Sequence, residues 1–385
     1  MQRYVNPLKL LDKSSYFLFG ARGVGKSYLI GQTFGQSCVT HLDLLNSETY
    51  FRLKAKPSSL EVMAKEDVVV IDEVQRIPEL LNEVHRLIEM NKGQRFLLTG
   101  SSARKLKRGG ANLMAGRAYF ASLLPLTWQE ISAEGSFGLD KYLVTGALPS
   151  AYIDNAGFQY LFSYIDAYMK EEIQAEALVR NLANFARFVE VAAMISGEEL
   201  NYTKVASDCQ LPVNTVRDYF QILEDTLLGY RVHAWKKGNK RKATQREKFF
   251  LFDVGVRNAL LNVRSVAEKT TEYGKCFEHF IANEIRAFLA YHQLRESLCY
   301  WRTSTKLEVD FIVGQELAID VKSAEQVSQR DHKGLEALSS EGVSFKHRLI
   351  VSKDIQPMRF ESGVEHMHWE VFLQKIWNGE LISKG

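Results

Sequence analysis

The stretch GARGVGKS, Gly20 to Ser27, constrains this chain more than any other eight residues. It fits the spacing G-x-x-x-x-G-K-[S/T], in which glycines let successive backbone N–H groups turn inward around a phosphate. The apolar run YFLFG before it reads as a strand, and the pattern after Gly25 reads as a helix opening at Lys26-Ser27. A loop so placed adds the positive end of a helix dipole to the anion site. A glycine-rich turn with a chance lysine would not need those flanking elements. The expected ligand is therefore ATP, held by Gly20, Ala21, Arg22, Gly23, Val24, Gly25, Lys26 and Ser27. Lys26 would reach the β- and γ-phosphates, and the Ser27 hydroxyl would bind Mg²⁺.

The residues downstream complete that chemistry. VTHLDL, DVVVID and RFLLTGS are short apolar runs separated by helical patterns, the βαβ rhythm of a parallel sheet covered on both faces. DVVVIDE, Asp67 to Glu73, ends a strand in Asp72, placed to hold Mg²⁺ through water, and in Glu73, placed to polarise an attacking water as general base. Taken alone, the same residues would read as a solvated acidic turn. LLTGSSA ends another strand in Thr99, Ser101 and Ser102, which either orient the γ-phosphate or cap the strand end. Arg117, in AGRAYF, is a candidate charge-stabilising arginine acting in cis or, in a homo-oligomer, in trans.

Length and composition bound the rest. A chain of 385 residues predicts two or three domains. A hydrophobic content of 46%, with 11% aromatic, supplies real cores and excludes a disordered chain. The net charge of +3 permits nucleic-acid contact without requiring it. Cys38, Cys209, Cys276 and Cys299 form no C-x-x-C pair, which argues against a zinc ribbon or a disulfide framework and fits a reducing cytoplasm. The N-terminus lacks the apolar core of a signal peptide, and no run approaches the roughly 18 apolar residues of a spanning helix. No membrane association is expected.

GARGVGKS, VVVIDEVQRIPELL, LLTGSSARKL, GRAYFASLLPLTWQE and GALPSAY occur here in the order that resembles a group of prokaryotic AAA-type ATPases carrying a C-terminal domain of the DUF4143 type. KFFLFDVGVRNAL, FEHFIANEI and YWRTSTKLEVDFIV extend the resemblance over nearly the whole chain. It implies an α/β chain: an N-terminal P-loop parallel-sheet ATPase core (1–135), a helical segment (136–200), a winged-helix-like segment (201–265) and a C-terminal α/β restriction-endonuclease-like domain (266–385). The last three together resemble DUF4143. One departure is visible, since Asp320 stands where the family usually has Glu.

Between these ends, Tyr202 to Asp208 and Val213 to Leu223 read as a helix-turn-helix, with the turn at Cys209-Gln210-Leu211-Pro212. The second helix offers Asn214, Thr215, Arg217 and Gln221 as polar contacts. The basic side chains lie beyond it in an expected wing, Lys236 to Lys248, which includes Lys237, Lys240, Arg241 and Lys242. That distribution suits contact with DNA phosphates better than base reading. A winged-helix module used for protein contacts, with a solvated basic loop, explains it equally well.

EVDFIVGQELAIDVK, Glu308 to Lys322, reads as a hairpin turning at Gly314-Gln315. That register sets Asp310 nearly opposite Asp320, and the two-residue strand period puts Lys322 on the face of Asp320. Asp310, Asp320 and Lys322 thus match the D…(D/E)-x-K constellation of metal-dependent nucleases, in which carboxylates bind Mg²⁺ and a lysine serves the activated water. Glu278, on the upstream helix pattern EYGKCFEHFIANEI, is the expected further metal ligand, and Glu308 a spare. The competing reading is a solvated hairpin whose acids are structural.

Overall fold

The apolar runs of the N-terminal third become strands, of which the first, third and fourth are buried along most of their length. These are β1 (Ser15–Phe19), β2 (Thr40–Asp43), β3 (Val68–Asp72), β4 (Arg95–Gly100) and β5 (Ala118–Ser122). They form one sheet in the order β2-β3-β4-β1-β5 with every pairing parallel. The computed structural model describes all residues except 36–37, 103–115, 136, 155, 168–180, 237–245, 329–330 and 385. Two compact units emerge, one of residues 2–125 with 225–228, the other of 126–224 with 229–385 and Met1.

In the first unit, β4 lies between β1 and β3, so the segments following these three strands emerge side by side at the carboxyl edge of the sheet. That edge is where open parallel sheets bind ligands. Phe17, Val69, Ile71, Phe96 and Leu98 are fully buried among Leu80, Leu81 and Val84 of the helix Leu80–Met90. Leu80, Leu81, Val84 and Leu87 form the buried stripe of that helix.

The second unit is built on an eight-stranded mixed sheet. Its strands are β6 (Gly229–Ala234), β7 (Lys248–Leu251), β8 (Leu298–Arg302), β9 (Glu308–Val313), β10 (Leu317–Lys322), β11 (His347–Ser352), β12 (Met358–Arg359) and β13 (Glu365–His368). They are ordered β12-β13-β11-β10-β9-β8-β6-β7. The 21-residue helix Thr271–Tyr291 packs on it, opened by the Thr270 side chain, which accepts the Tyr273 N–H. Phe277, Phe280, Ile281, Ile285 and Phe288 recur at three- and four-residue spacing and are fully buried.

The expected helix-turn-helix elements form as helices Tyr202–Cys209 and Val213–Asp225, separated by Gln210 in a left-handed conformation. Most of the expected wing (237–245, with Lys237, Lys240, Arg241 and Lys242) lies outside the described residues. Strands β6 and β7 on either side of it pair antiparallel, and β6 also pairs in parallel with β8. The segments read as 136–200, 201–265 and 266–385 therefore share one unit, because the hairpin that would close a separate module extends the C-terminal sheet instead.

The β9–β10 hairpin forms one residue out of the expected register: Val313 pairs with Leu317, Ile312 with Ala318 and Phe311 with Ile319. Asp310 and Asp320 are the next residues beyond the last of these pairs. The turn is one residue longer than the expected Gly314-Gln315, leaving Gly314, Gln315 and Glu316 unpaired, with Gly314 at φ 54°.

Candidate functional site

At the carboxyl edge of the N-terminal sheet, the phosphate loop is shaped by its glycines. Gly23 and Gly25 take φ of 80° and 93°, conformations side chains resist, and Gly25 caps the helix Lys26–Phe34. Lys26 is buried and donates from Nζ to the carbonyls of Gly20 at 2.8 Å and Ala21 at 3.2 Å. The Ser27 hydroxyl donates to Asp72 Oδ2 at 3.1 Å. Asp72 is buried and also accepts from the Thr99 hydroxyl and from the Glu73 N–H. Loop, lysine, hydroxyl and carboxylate thus meet as the spacing predicted.

Three residues that sequence reasoning passed over support this arrangement. Buried Arg3 donates to the Val24 and Leu124 carbonyls, both at 2.6 Å, and so clamps the loop from behind. Gln75, 5% exposed, donates from Nε2 to the Glu73 carboxylate and to Ser101 Oγ at 3.1 Å. Glu73 itself stands at φ 59°, ψ 41°, a left-handed conformation unusual for a residue with a side chain. Gly100 makes room for this group, since a Cβ there would lie 2.3 Å from Gln75 Oε1. The proline and apolar residues after VVVIDEVQR marked a turn, but nothing in the string set Gln75 apart from a surface glutamine. Ser102 Oγ, by contrast, donates to the Asp225 carbonyl at 3.4 Å. The guanidinium of Arg117 is bonded to Glu89 at the end of Leu80–Met90.

The donor set fits a nucleotide with Mg²⁺: backbone N–H groups and an ammonium for phosphate oxygens, a hydroxyl and a buried carboxylate for a hard cation.

In the second unit, the C-terminal acids come together, but around Lys248, the last residue of the expected wing. Lys248, the first residue of β7, is buried, with Nζ 3.1 Å from Glu278 Oε1 and 2.7 Å from Glu308 Oε1. Burial alone would lower its ammonium, yet Glu278, Glu308 and Asp310 hold it above the ordinary lysine value. Burial pushes Glu278 up to about 7 against the pull of Lys248. Asp310 Oδ2 accepts the Val321 N–H at 2.8 Å. Asp320 is raised well above the carboxylate range by burial and by neighbouring Asp310, and Lys322 Nζ lies 3.8 Å from it. Gly334 closes over this pair, since a Cβ there would be 3.2 Å from Asp320 Oδ2 and 1.9 Å from the Glu308 carbonyl oxygen.

The expected metal ligands Glu278, Asp310 and Asp320 each already have a partner within the chain, Asp320 through Lys322. Glu278 turns to the lysine, one oxygen of Asp310 is engaged by backbone, and among the described residues no three His, Cys, Asp or Glu side chains are grouped to hold a metal ion. The signal for Lys248 was present in KFFLFD, a lysine leading a strand buried at every position.

Comparison with known proteins gives three successive matches along the chain. Residues 12–132 match the family described as AAA domain, 136–267 a domain of unknown function (DUF8612) and 273–372 a domain of unknown function (DUF4143). The chain is 20% identical over 339 residues to the uncharacterized protein MJ1544 of Methanocaldococcus jannaschii, covering 80% of this chain and 73% of that one. Among solved structures, the ORC2 protein of Aeropyrum pernix in its ADPNP–ADP complexes aligns with 67% of this chain and 90% of its own, at 13% identity and a TM-score of 0.36. Its ADP form covers 67% and 89%, at 13% identity and a TM-score of 0.33. With a complete phosphate loop on a parallel sheet, an AAA domain over 12–132 and a DUF4143 domain over 273–372, the chain is an AAA-type P-loop protein with a C-terminal DUF4143 domain.

Proposed function

We propose that this protein is an ATP-hydrolysing, nucleotide-driven switch. The observation that carries the reading is the meeting of Lys26, Ser27 and Asp72 at the carboxyl edge of the sheet, with Ser27 Oγ 3.1 Å from Asp72 Oδ2. Gly20 to Ser27 would wrap the phosphates, and Ser27 and Asp72 would hold Mg²⁺, which neutralises phosphate charge when bound. Lys26 leaves its loop carbonyls for the β- and γ-phosphates. Glu73 orients and deprotonates the attacking water, with Gln75 and Ser101 fixing its carboxylate. Phosphoryl transfer depends mainly on such positioning and charge compensation.

Lys26→Ala and Glu73→Gln should each abolish ATP turnover, the first by weakening nucleotide binding and the second with binding retained. Turnover surviving in both variants would overturn the assignment. The C-terminal unit has no cleaving role in this reading, because Lys248 already bridges Glu308 and Glu278, one of the acids a metal-dependent cut would use.

Association with DNA is a second reading, favoured by the basic run KKGNKRK after β6. Arg217 of the second helix lies over the Tyr202 ring at 4.3 Å, and Lys248 is buried, which leaves the contacts to the run itself. Phosphate contacts release counterions, so DNA affinity should fall steeply with salt. A salt-insensitive affinity would exclude this use of the run. Among the described residues no helix is long and apolar enough to cross a membrane.

A further inference from the structure

We propose that the carboxylate cluster of the C-terminal unit is a metal-free site, in which the Lys248 ammonium takes the place that a divalent cation holds in metal-dependent nucleases. The strand register brings together what such nucleases require: Asp310 and Asp320 lie just beyond the Phe311–Ile319 pair, with Lys322 two residues on. What differs is the centre of the cluster. The Lys248 side chain is 4% exposed and bridges Glu278 at 3.1 Å and Glu308 at 2.7 Å. Strand β7 fixes the lysine there. Phe249, Phe250 and Leu251 behind it are buried, and β7 is locked to β6 from Gly229↔Leu251 to Val232↔Lys248.

Each acid of the constellation is already compensated from within. Glu278 and Glu308 share the Lys248 ammonium, and Arg302 Nε lies 3.6 Å from the other oxygen of Glu308. Asp310 takes the Val321 N–H, and Asp320 has Lys322 at 3.8 Å. The adjoining cavity, of about 440 Å³, carries Arg246, Lys248, Lys275 and Arg302 on its walls beside the acids. A divalent ion entering between Glu278 and Asp310 would meet a buried positive charge already in contact with one of its ligands. Buried carboxylates need a cation or hydrogen-bond donors, and here the chain supplies both itself. The unit thereby keeps a nuclease-like arrangement of acids as a neutralised, rigid feature of a binding module.

The test uses the nucleotide-free full-length protein, so neither arm depends on ATP turnover and failure of the ATPase reading would leave it intact. Mn²⁺ is titrated and followed by electron paramagnetic resonance, and melting temperatures are read with and without MnCl₂. Wild type and Asp310→Asn should bind the same amount of Mn²⁺, and wild type should show no melting shift. Lys248→Met should melt below wild type and recover part of that loss when Mn²⁺ fills the vacated position. A Mn²⁺ site in wild type that Asp310→Asn removes would overturn the proposal. So would a folded Lys248→Met protein whose melting ignores Mn²⁺, because the lysine would then be a structural ion pair and no substitute for a cation. Should Lys248→Met fail to fold, the comparison of wild type with Asp310→Asn decides alone.

Discussion

Replacing Gln75 by leucine isolates the contribution of the group that holds Glu73. The swap roughly conserves volume in a site 5% exposed, so packing is little disturbed. What it removes is the Nε2 donor to the Glu73 carboxylate and to Ser101. A hydrogen bond to a charged group contributes about 1.5–3 kcal/mol. Glu73 meanwhile sits in a left-handed backbone conformation, which costs a side-chain-bearing residue about 1–2 kcal/mol. Without its partner the glutamate can relax toward an ordinary conformation and swing from its line of attack. If the hydrogen-bond energy serves alignment in the transition state, turnover should fall about 10- to 150-fold. Gln75 donates to Glu73 and Ser101 and not to Gly20–Ser27, so nucleotide affinity should stay near wild type. Phosphate release under saturating ATP, paired with equilibrium binding of a fluorescent nucleotide, separates the two effects. Gly100→Ala reaches the same point from the other side, since its Cβ would lie 2.3 Å from Gln75 Oε1 and displace the amide. Wild-type turnover in Gln75→Leu would refute the reasoning, and an equal loss of affinity would show a general disturbance of the loop instead.

Other variants probe the supports. Arg3→Met removes two charge-assisted bonds to the Val24 and Leu124 carbonyls, and should destabilise the N-terminal unit by about 2–4 kcal/mol in urea unfolding while raising the nucleotide dissociation constant. Gly334→Ala drives a Cβ to 1.9 Å from the Glu308 carbonyl oxygen, an overlap expected to cost about 1–3 kcal/mol by the same measurement. Glu284 accepts the Trp128 N–H at 2.7 Å and Trp377 Nε1–H at 3.0 Å, and burial pushes it up to about 8 from an ordinary value of 4.5. The folded state therefore binds its proton more tightly than the unfolded chain does. Its contribution is fully present below about pH 4.5 and is lost as pH rises towards 8. Unfolding midpoints of wild type should fall between pH 6 and 8, and Glu284→Gln, neutral throughout, should flatten that slope from a lower baseline.

What was legible in the string was whatever depends on neighbours in sequence. The phosphate loop, the strand ending in Asp72-Glu73 and the hairpin carrying Asp310 and Asp320 follow from spacing and period, because strand alternation and glycine freedom act over a few residues. Partners brought by topology were not legible. Arg3 reaches Leu124 across 121 positions, and Glu284 reaches Trp128 across 156. Lys248 is the case with most consequence. As part of KKGNKRKATQREK it belongs by composition to a basic surface loop, and counting charge placed it there. Its actual position is set by the strand it begins, since KFFL is buried at all four positions and β7 lies at the edge next to β6. A charge at the head of such a strand cannot remain unpaired, because an isolated buried ion would be neutralised instead. That requirement already predicts an acidic partner. The nearby supply of acids is Glu278, Glu308 and Asp310, and two of them, Glu278 and Asp310, belong to the expected metal centre. The two readings share Glu278, and burial of the strand is what favours the lysine there.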